Sequence, residues 1–193
     1  MHALLRLSRL IDALTEAVGK AASWLILLTV LISAGNATAR YAFNASSNAW
    51  LEIQWYLFAT VFLLCAGYAL KHNQHVRVDV LSSRLSRRAQ TWIEIFGTLV
   101  FLLPMALLIL ALSWPVFVDS WRSGEVSSNA NGLALWPARA LVPAGFALLV
   151  LQGLAELIKR VGFLRGVAPD PGERPESAQR ELAEAILKSR REA

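Results

Sequence analysis

Two histidines and an aspartate stand close together in the stretch KHNQHVRVDVL. His72 and His75 are three residues apart, and Asp79 follows His75 by four. On a helix this spacing places all three side chains on roughly one face, and two imidazoles with a carboxylate suit iron or zinc. Arg77 lies between the candidate ligands, and its charge opposes a bound divalent cation. The pattern therefore favours a hydrogen-bonded structural role, with a metal site as the alternative.

The chain contains four long apolar runs, and that stretch lies between the second and the third. Of 193 residues, 55% are hydrophobic and only 17% charged, whereas soluble domains carry roughly 25% charge. About 20 helical residues, rising 1.5 Å each, cross the ~30 Å hydrocarbon core of a bilayer. The sequence therefore predicts an all-α integral membrane protein, residues 21–165, with four transmembrane helices. The predicted spans are about 21–41, 50–71, 90–118 and 136–159.

The ends of the chain differ in character from the spans. Residues 1–20 carry leucine, isoleucine and valine at three- and four-residue intervals, with charged residues on the other faces, which predicts an amphipathic interfacial helix before the first span. A cleaved signal peptide is the alternative, but the acidic residues and the length of this segment disagree with it. Residues 166–193 read as a proline-rich linker and a short charged helix, predicted to be cytoplasmic.

Basic residues are distributed unevenly between the two sides of the predicted spans. Both terminal flanks and the middle loop together hold eleven lysines and arginines near the span ends, whereas the other two loops hold three, namely Arg40, Arg122 and Arg139. By the positive-inside rule, the N- and C-termini are therefore expected to be cytoplasmic. The net charge of +5 comes from these flanks, so it indicates topology and predicts no nucleic-acid partner.

Tryptophans fall near the predicted span ends. Trp50, Trp114, Trp121 and Trp136 lie near the expected outer boundary, as anchors in the headgroup zone do, because indole is amphipathic. Membrane lipids are accordingly expected partners of the chain.

Ionisable residues are absent from the middle of the predicted spans. The candidates Glu52, Glu94, Arg139 and Glu156 lie near span ends, where we expect each to reach water. Charged groups at mid-membrane usually mark ion or substrate paths, so this distribution disfavours a self-sufficient small transporter, although that alternative stays open.

The known membrane chemistries lack their necessary groups in this sequence. Haem ligation needs histidines inside the bilayer on different helices, but all three histidines are predicted to lie at one membrane surface. Intramembrane proteolysis needs a buried nucleophile with a base, or paired aspartates. Cys65 is the single cysteine, so a thiol pair cannot form. We therefore expect no enzyme and no cofactor, with an electron-transfer subunit as a further alternative.

Three segments together resemble a known family of transporter subunits. RYAFNASSNAWLEIQWYLF, AGYALKHNQHVRVDVLSSRLS and GEVSSNANGLALWPARALVPAGFALLVLQGLAELIK resemble the small membrane subunit, DctQ type, of tripartite ATP-independent periplasmic (TRAP) transporters. The resemblance covers about residues 20–162, in order and at the expected separations. The segment EIQWYLF is similar to the mannitol/chloroaromatic or 2-oxo acid subgroup. The charged tail after Gly166 departs from the shorter family members.

The resemblance implies a non-enzymatic subunit of a secondary transporter in the bacterial inner membrane. It implies a large permease subunit of DctM type, which would carry the sodium and substrate sites, and a periplasmic solute-binding protein that delivers an organic acid. The small subunit would brace the large one and help to dock the binding protein. Residues expected to contact these partners are Arg40, Trp50, Glu52, His75, Arg77, Asp79, Glu125, Ser127 and Trp136.

Overall fold

A computed structural model describes residues 1–44, 47–72, 85–130 and 132–171, with the backbone alone for His2. Within these ranges the chain forms four long helices, one isolated bridge and no extended strand. Each helix contains an apolar stretch long enough to cross a membrane. The prediction of an all-α protein with four transmembrane helices is therefore confirmed. The helices are α1 (His2–Phe43), α2 (Asn48–Lys71), α3 (Arg87–Ser123) and α4 (Trp136–Leu164).

Helix α1 is continuous through the predicted junction between the interfacial helix and the first span. No residue of its interior breaks the backbone hydrogen bonding, and the helix ends where Asn44 adopts a left-handed conformation with φ 54°. Asparagine tolerates this conformation better than most residues. The division at residue 20 is thus not marked by a turn, and a separate interfacial segment stays a prediction.

The inward face of α1 is a narrow seam of small and polar residues. Its side chains are buried or half-buried at three- and four-residue intervals, the spacing of a coiled-coil seam. Small residues on such a seam let helix backbones approach closely in a membrane. The stripe of leucines in the first four turns instead faces outward. The buried or half-buried seam comprises Ser8, Ile11, Thr15, Gly19, Ala22, Leu25, Thr29, Ile32, Asn36 and Ala39.

Helix α3 accommodates a proline in its middle by a local change of winding. A π-helical turn covers Thr98–Leu102 and ends two residues before Pro104. In a regular α-helix the proline ring would clash with the carbonyl of Val100, four residues earlier. The wider π turn includes that carbonyl and relieves the clash, so α3 continues through Pro104 to Ser123.

Helix α4 packs against each of the other three helices and forms the centre of the bundle. Its contact with α2 is close at Gly145, where a Cβ atom would lie 2.8 Å from the carbonyl oxygen of Leu63. Only glycine allows this backbone approach. The outer surfaces of the bundle are apolar, with Phe62 80% and Trp24 73% exposed, as expected of helices that face lipid.

Candidate functional site

Polar side chains gather at the two ends of the bundle. We call one the loop end, because it carries the segment 124–135 between α3 and α4. The other, the termini end, carries the start of α1 and the end of α4, where Leu5 lies beside Gly162. The intervening runs of the four helices contain no Asp, Glu, Lys, Arg or His.

The segment 124–135 folds back on itself in a short hairpin-like arrangement. Val126 and Ala134 form an antiparallel bridge, and the N–H of Ser127 donates to the carbonyl of Leu133 at 2.9 Å. Gly124, with φ 62°, ends α3 in a left-handed conformation that favours glycine. These bonds give the segment a defined shape outside the apolar runs.

Glu52, in the first turns of α2, holds this hairpin to the bundle. Its carboxylate accepts the backbone N–H of Leu133 at 2.7 Å, the amide N–H of Asn129 at 2.7 Å and the hydroxyl of Ser127. The residue is only 5% exposed. A carboxylate with several donors can be buried because its lost hydration is replaced by charge-assisted hydrogen bonds. Glu52, Ser127, Asn129 and Leu133 form what we call the loop-end cluster.

Further contacts fix the same segment to α2 and α4. Glu125 forms an ion pair with Arg139, which lies in the first turn of α4. The hydroxyl of Tyr56 donates to the carbonyl of Ala134 at 3.0 Å. Trp136 packs edge-on against Trp121, with 4.4 Å between ring centroids. Helices α2, α3 and α4 therefore all contribute to holding this segment in place.

The other predicted contact residues do not join this cluster. Arg40 is exposed in the last turn of α1. Trp50 is 49% exposed and lines a cavity of about 520 Å³ together with Gly35 and Asn36 of α1. The remaining three predicted contacts, His75, Arg77 and Asp79, lie outside the described residues, so the proposed arrangement of KHNQHVRVDVL stays a prediction.

A second cluster, the termini-end cluster, links α1, α3 and α4 through buried charges. Lys159 donates to both oxygens of Asp12, at 3.1 and 3.2 Å, and to the carboxylate of Glu156. Arg160 donates to Glu156 at 3.2 Å and to Glu94 of α3 at 2.8 Å. We define the termini-end cluster as Asp12, Glu94, Gln152, Glu156, Lys159 and Arg160.

Burial makes this cluster costly to disrupt. Glu156 is 2% and Arg160 3% exposed, and Gln152 is fully buried. Gln152 donates to Asp12 at 2.8 Å and to Glu156 at 3.1 Å. Buried ions are tolerated only when paired and hydrogen-bonded, and here every charged member has at least one partner of opposite charge.

A neighbouring contact fixes the end of α2 to α1. Glu16 accepts from Lys71 at 2.7 Å, and His72 lies 2.9 Å from the same carboxylate oxygen. Lys71 also donates to the carbonyl of Asp12 at 3.2 Å. His72, one of the three candidate metal ligands, therefore has a hydrogen-bonding partner on another helix. Among the described residues, no group of three His, Cys, Asp or Glu side chains is arranged to hold a metal.

The expectation that the ionisable residues near span ends all reach water is wrong for Glu52 and Glu156. Both are buried, at 5% and 2% exposure. The sequence shows each carboxylate next to an apolar run, but not the donors that replace water, which come from distant positions in the chain. In contrast, Glu94 and Arg139 keep part of their side-chain surface exposed, at 24% and 37%.

Sequence reasoning also missed most of the termini-end cluster. Asp12 and Glu16 sit on the face of α1 opposite the leucine stripe, and no partner was predicted for either carboxylate. In the structure this side of α1 faces α2 and α4. The sequence does contain a sign of this contact. Lys159 and Arg160 lie near the end of the last span, at the same end of the bundle as these acids, and buried charges in a membrane protein usually pair with one another.

The family model for the DctQ component of tripartite ATP-independent periplasmic transporters matches residues 28–162. The chain belongs to the DctQ family. A protein of Haemophilus influenzae named "Putative TRAP transporter small permease protein" is 36% identical over 143 residues, which cover 74% of this chain and 85% of that protein. No solved structure matches the chain.

The DctQ family match covers most of the four-helix bundle. The match begins within the first apolar run and ends just after the termini-end cluster of α4. The chain is therefore a TRAP transporter small subunit and a multi-pass protein of the bacterial inner membrane. The residues before 28 and after 162, including Asp12 and Glu16, lie outside the family match.

Proposed function

We propose that this chain acts as a scaffold for a large permease subunit of DctM type, in a TRAP transporter that takes up an organic acid with sodium. In this proposal a periplasmic binding protein delivers the solute, and the substrate and sodium sites belong to the large subunit. The orientation is the one that the basic residues favour, with both termini in the cytoplasm.

The observation that carries the scaffold proposal is the distribution of charged groups. They are confined to the two ends of the bundle, where Lys159 and Arg160 donate to carboxylates of α1 and α3 and Glu52 accepts from neutral donors of the segment 124–135. Between these ends the four helices contain no Asp, Glu, Lys, Arg or His. A path for an ion or a polar solute needs polar groups near mid-membrane, so transport by this chain alone lacks support.

The two clusters explain how such a scaffold keeps its shape. Glu52 ties α2 to the segment between α3 and α4, and the Glu156–Arg160 pair ties α4 to α3 through Glu94. Lys159 adds α1 through Asp12. Each end of the bundle is thus cross-linked by buried polar bonds, and the large subunit would have a rigid apolar surface to pack against.

The proposed contact with the binding protein rests on the segment 124–135. This segment projects beyond the apolar runs at the loop end, which the proposed orientation places in the periplasm. Its backbone is held by Glu52 and by the Glu125–Arg139 pair. A preformed surface binds a partner without an ordering cost, which favours this segment over the shorter connection between α1 and α2.

Co-purification tests the scaffold proposal. The chain carrying an affinity tag is expressed together with the large permease subunit encoded by the same organism, and the complex is isolated in mild detergent. We expect the large subunit to co-purify in a stoichiometric complex, and uptake in cells to require both chains. Uptake that is undiminished in cells lacking this chain would contradict the proposal.

A further inference from the structure

A cavity at the termini end lies between the first turns of α1 and the segment that follows α4. It has a volume of about 450 Å³. Its polar lining includes Arg6, Arg9 and Lys159, and its apolar lining includes Leu5 and Pro169. Neither the loop-end cluster nor the contacts proposed for the large subunit involve this cavity. A small cavity with both cationic and apolar walls suits an amphiphilic anion.

The two arginines have charge available for a ligand, whereas the lysine does not. Lys159 is engaged by Asp12 and Glu156. The Nε of Arg9 donates to the carbonyl of Leu5 at 3.3 Å, which holds its guanidinium against the helix. Across the described ranges, no carboxylate lies within ion-pair distance of Arg6 or Arg9.

The acidic residue nearest in sequence to the cavity lining is Asp170, between two prolines of the wall. Its carboxylate lies 3.9 Å from Nε of Arg87, on α3. Its charge is therefore shared with a cation on another helix. The cavity keeps a positive character through Arg6 and Arg9.

The depth of the cavity matches the headgroup zone of the membrane. Trp92 is 62% and Trp121 57% exposed on the same helix. They are separated by 29 positions in the sequence, which corresponds to about 43 Å of helix. A bilayer including its headgroups is about 40–45 Å thick. Trp92 is close to the cavity along the bundle. It lies two residues from Glu94, which bonds Arg160 of α4, and Gly162, two residues after Arg160, lies beside Leu5 of the cavity wall.

The surface next to the cavity is suited to acyl chains. Leu10 lies one helical turn from Arg6 in the direction of the membrane centre and is 69% exposed, and Leu14, a further turn along, is 47% exposed. A lipid with its phosphate at Arg6 could therefore lay its chains along this leucine stripe. A soluble anion would make no use of that stripe.

We propose that this cavity binds the phosphate of an anionic phospholipid through Arg6 and Arg9, with the acyl chains along Leu10 and Leu14. Guanidinium groups bind phosphate oxygens in a paired, directional geometry. A headgroup that carries a net negative charge gains from both arginines, whereas the cation of a choline headgroup offsets much of that gain. The site needs only the membrane location of the chain and does not depend on its partners.

Lipid binding to the full-length chain in neutral detergent micelles tests this site. Native mass spectrometry compares dioleoyl phosphatidylglycerol with dioleoyl phosphatidylcholine. Since a basic residue near an anionic membrane surface contributes about 1 kcal/mol, two arginines predict about 30-fold preference for phosphatidylglycerol. The double variant Arg6→Gln/Arg9→Gln should lose most of this preference. Arg6→Lys/Arg9→Lys should keep part of it, because the charge remains.

A matched control is Arg88→Gln, which removes an exposed cation at the same end but outside the cavity. It should keep the wild-type preference. An unchanged preference in Arg6→Gln/Arg9→Gln would overturn the proposal, as would an equal loss in Arg88→Gln.

Inorganic phosphate, added as a competitor, should not displace the lipid. Displacement by phosphate at a concentration comparable to that of the lipid would identify a soluble-anion site and contradict the proposed lipid site. If the double variant does not fold, the single variants Arg6→Gln and Arg9→Gln provide the same comparison.

Discussion

Glu156 and Arg160 form an ion pair inside the bundle, with 3.2 Å between their oxygen and nitrogen atoms and less than 4% of either residue exposed. The two residues are four apart on α4. Arg160 also donates to Glu94 of α3, and Glu156 accepts from Lys159 of its own helix, which in turn donates to Asp12 of α1. One helical turn thus joins α1 and α3 to the central helix through buried charges.

Removing one member of this pair should strongly destabilise the protein. Glu156→Ala leaves Arg160 buried with a single partner, and loss of one member of a buried pair costs about 3–5 kcal/mol. The free energy of unfolding, measured by denaturant titration in mixed micelles, checks this value. Asp119→Ala, which removes an exposed carboxylate of α3, is the control and should change stability by less than about 0.5 kcal/mol.

A double-mutant cycle separates the pair from its surroundings. The combined variant Glu156→Ala/Arg160→Ala should cost less than the sum of the single variants, with a coupling energy of about 1–3 kcal/mol. Strict additivity would show that the two side chains act independently and that the pair does not stabilise the bundle.

Glu52→Gln should loosen the segment 124–135. Leu133 donates to one carboxylate oxygen of Glu52, and Asn129 and Ser127 donate to the other. The amide keeps one acceptor oxygen but turns its NH₂ group toward the donor or donors on the other side. Hydrogen exchange of the backbone amides in this segment, followed by mass spectrometry, should become several-fold faster than in wild type. The isosteric control Asp119→Asn, an exposed site of α3, should leave exchange unchanged. Equal exchange in Glu52→Gln and wild type would refute the clamp.

Gly145→Ala should separate α2 from α4. The added Cβ would lie 2.8 Å from the carbonyl oxygen of Leu63, which is backbone and cannot rotate away. Overpacking of this kind costs about 1–3 kcal/mol. Gly35→Ala is the matched control, since no atom lies within 4 Å of its Cβ position, and it should be neutral or stabilising by up to about 1 kcal/mol. A thermal unfolding series distinguishes the two, and equal stability would exclude the close approach.

Exchanging the charges of Glu125 and Arg139 tests the proposed contact with a binding protein. Glu125→Arg breaks the ion pair with Arg139 and should weaken uptake at low solute concentration. The exchanged variant Glu125→Arg/Arg139→Glu restores a pair within the chain. We expect uptake to stay low in the exchanged variant, since the outward pattern of charge remains altered. Full recovery would show that the pair only holds the segment in place.

The sequence alone predicted the part of the fold that depends on the length of the apolar runs. The four runs without charge near their centres specify four spanning helices because the bilayer sets their minimum length. The π-helical turn at Thr98–Leu102, shortly before Pro104, was not predicted, because it follows from local backbone sterics that residue types do not specify. The continuity of α1 through residue 20 was likewise not evident, because an amphipathic segment and an apolar span have compatible helical periods.

Residues of the loop end were named individually from the sequence, but their contacts with one another were not predicted. Glu52, Ser127 and Glu125 were each expected to contact a partner protein. In the structure, Glu52 accepts the hydroxyl of Ser127. The burial of Glu156 was not expected, because its partners Lys159 and Arg160 suggest a solvated helix end when read locally. The decisive contact is the bond from Arg160 to Glu94, which are 66 residues apart in the chain. Contacts at such separations are set by helix packing.

Solute flux through proteoliposomes tests the central claim most directly. Vesicles contain this chain alone, the large permease subunit alone, or both. The binding protein and radiolabelled organic acid are added outside, and an inward sodium gradient is imposed. The scaffold account predicts no flux with this chain alone and full flux only when both membrane subunits are present. Solute accumulation in vesicles that contain this chain alone would contradict it.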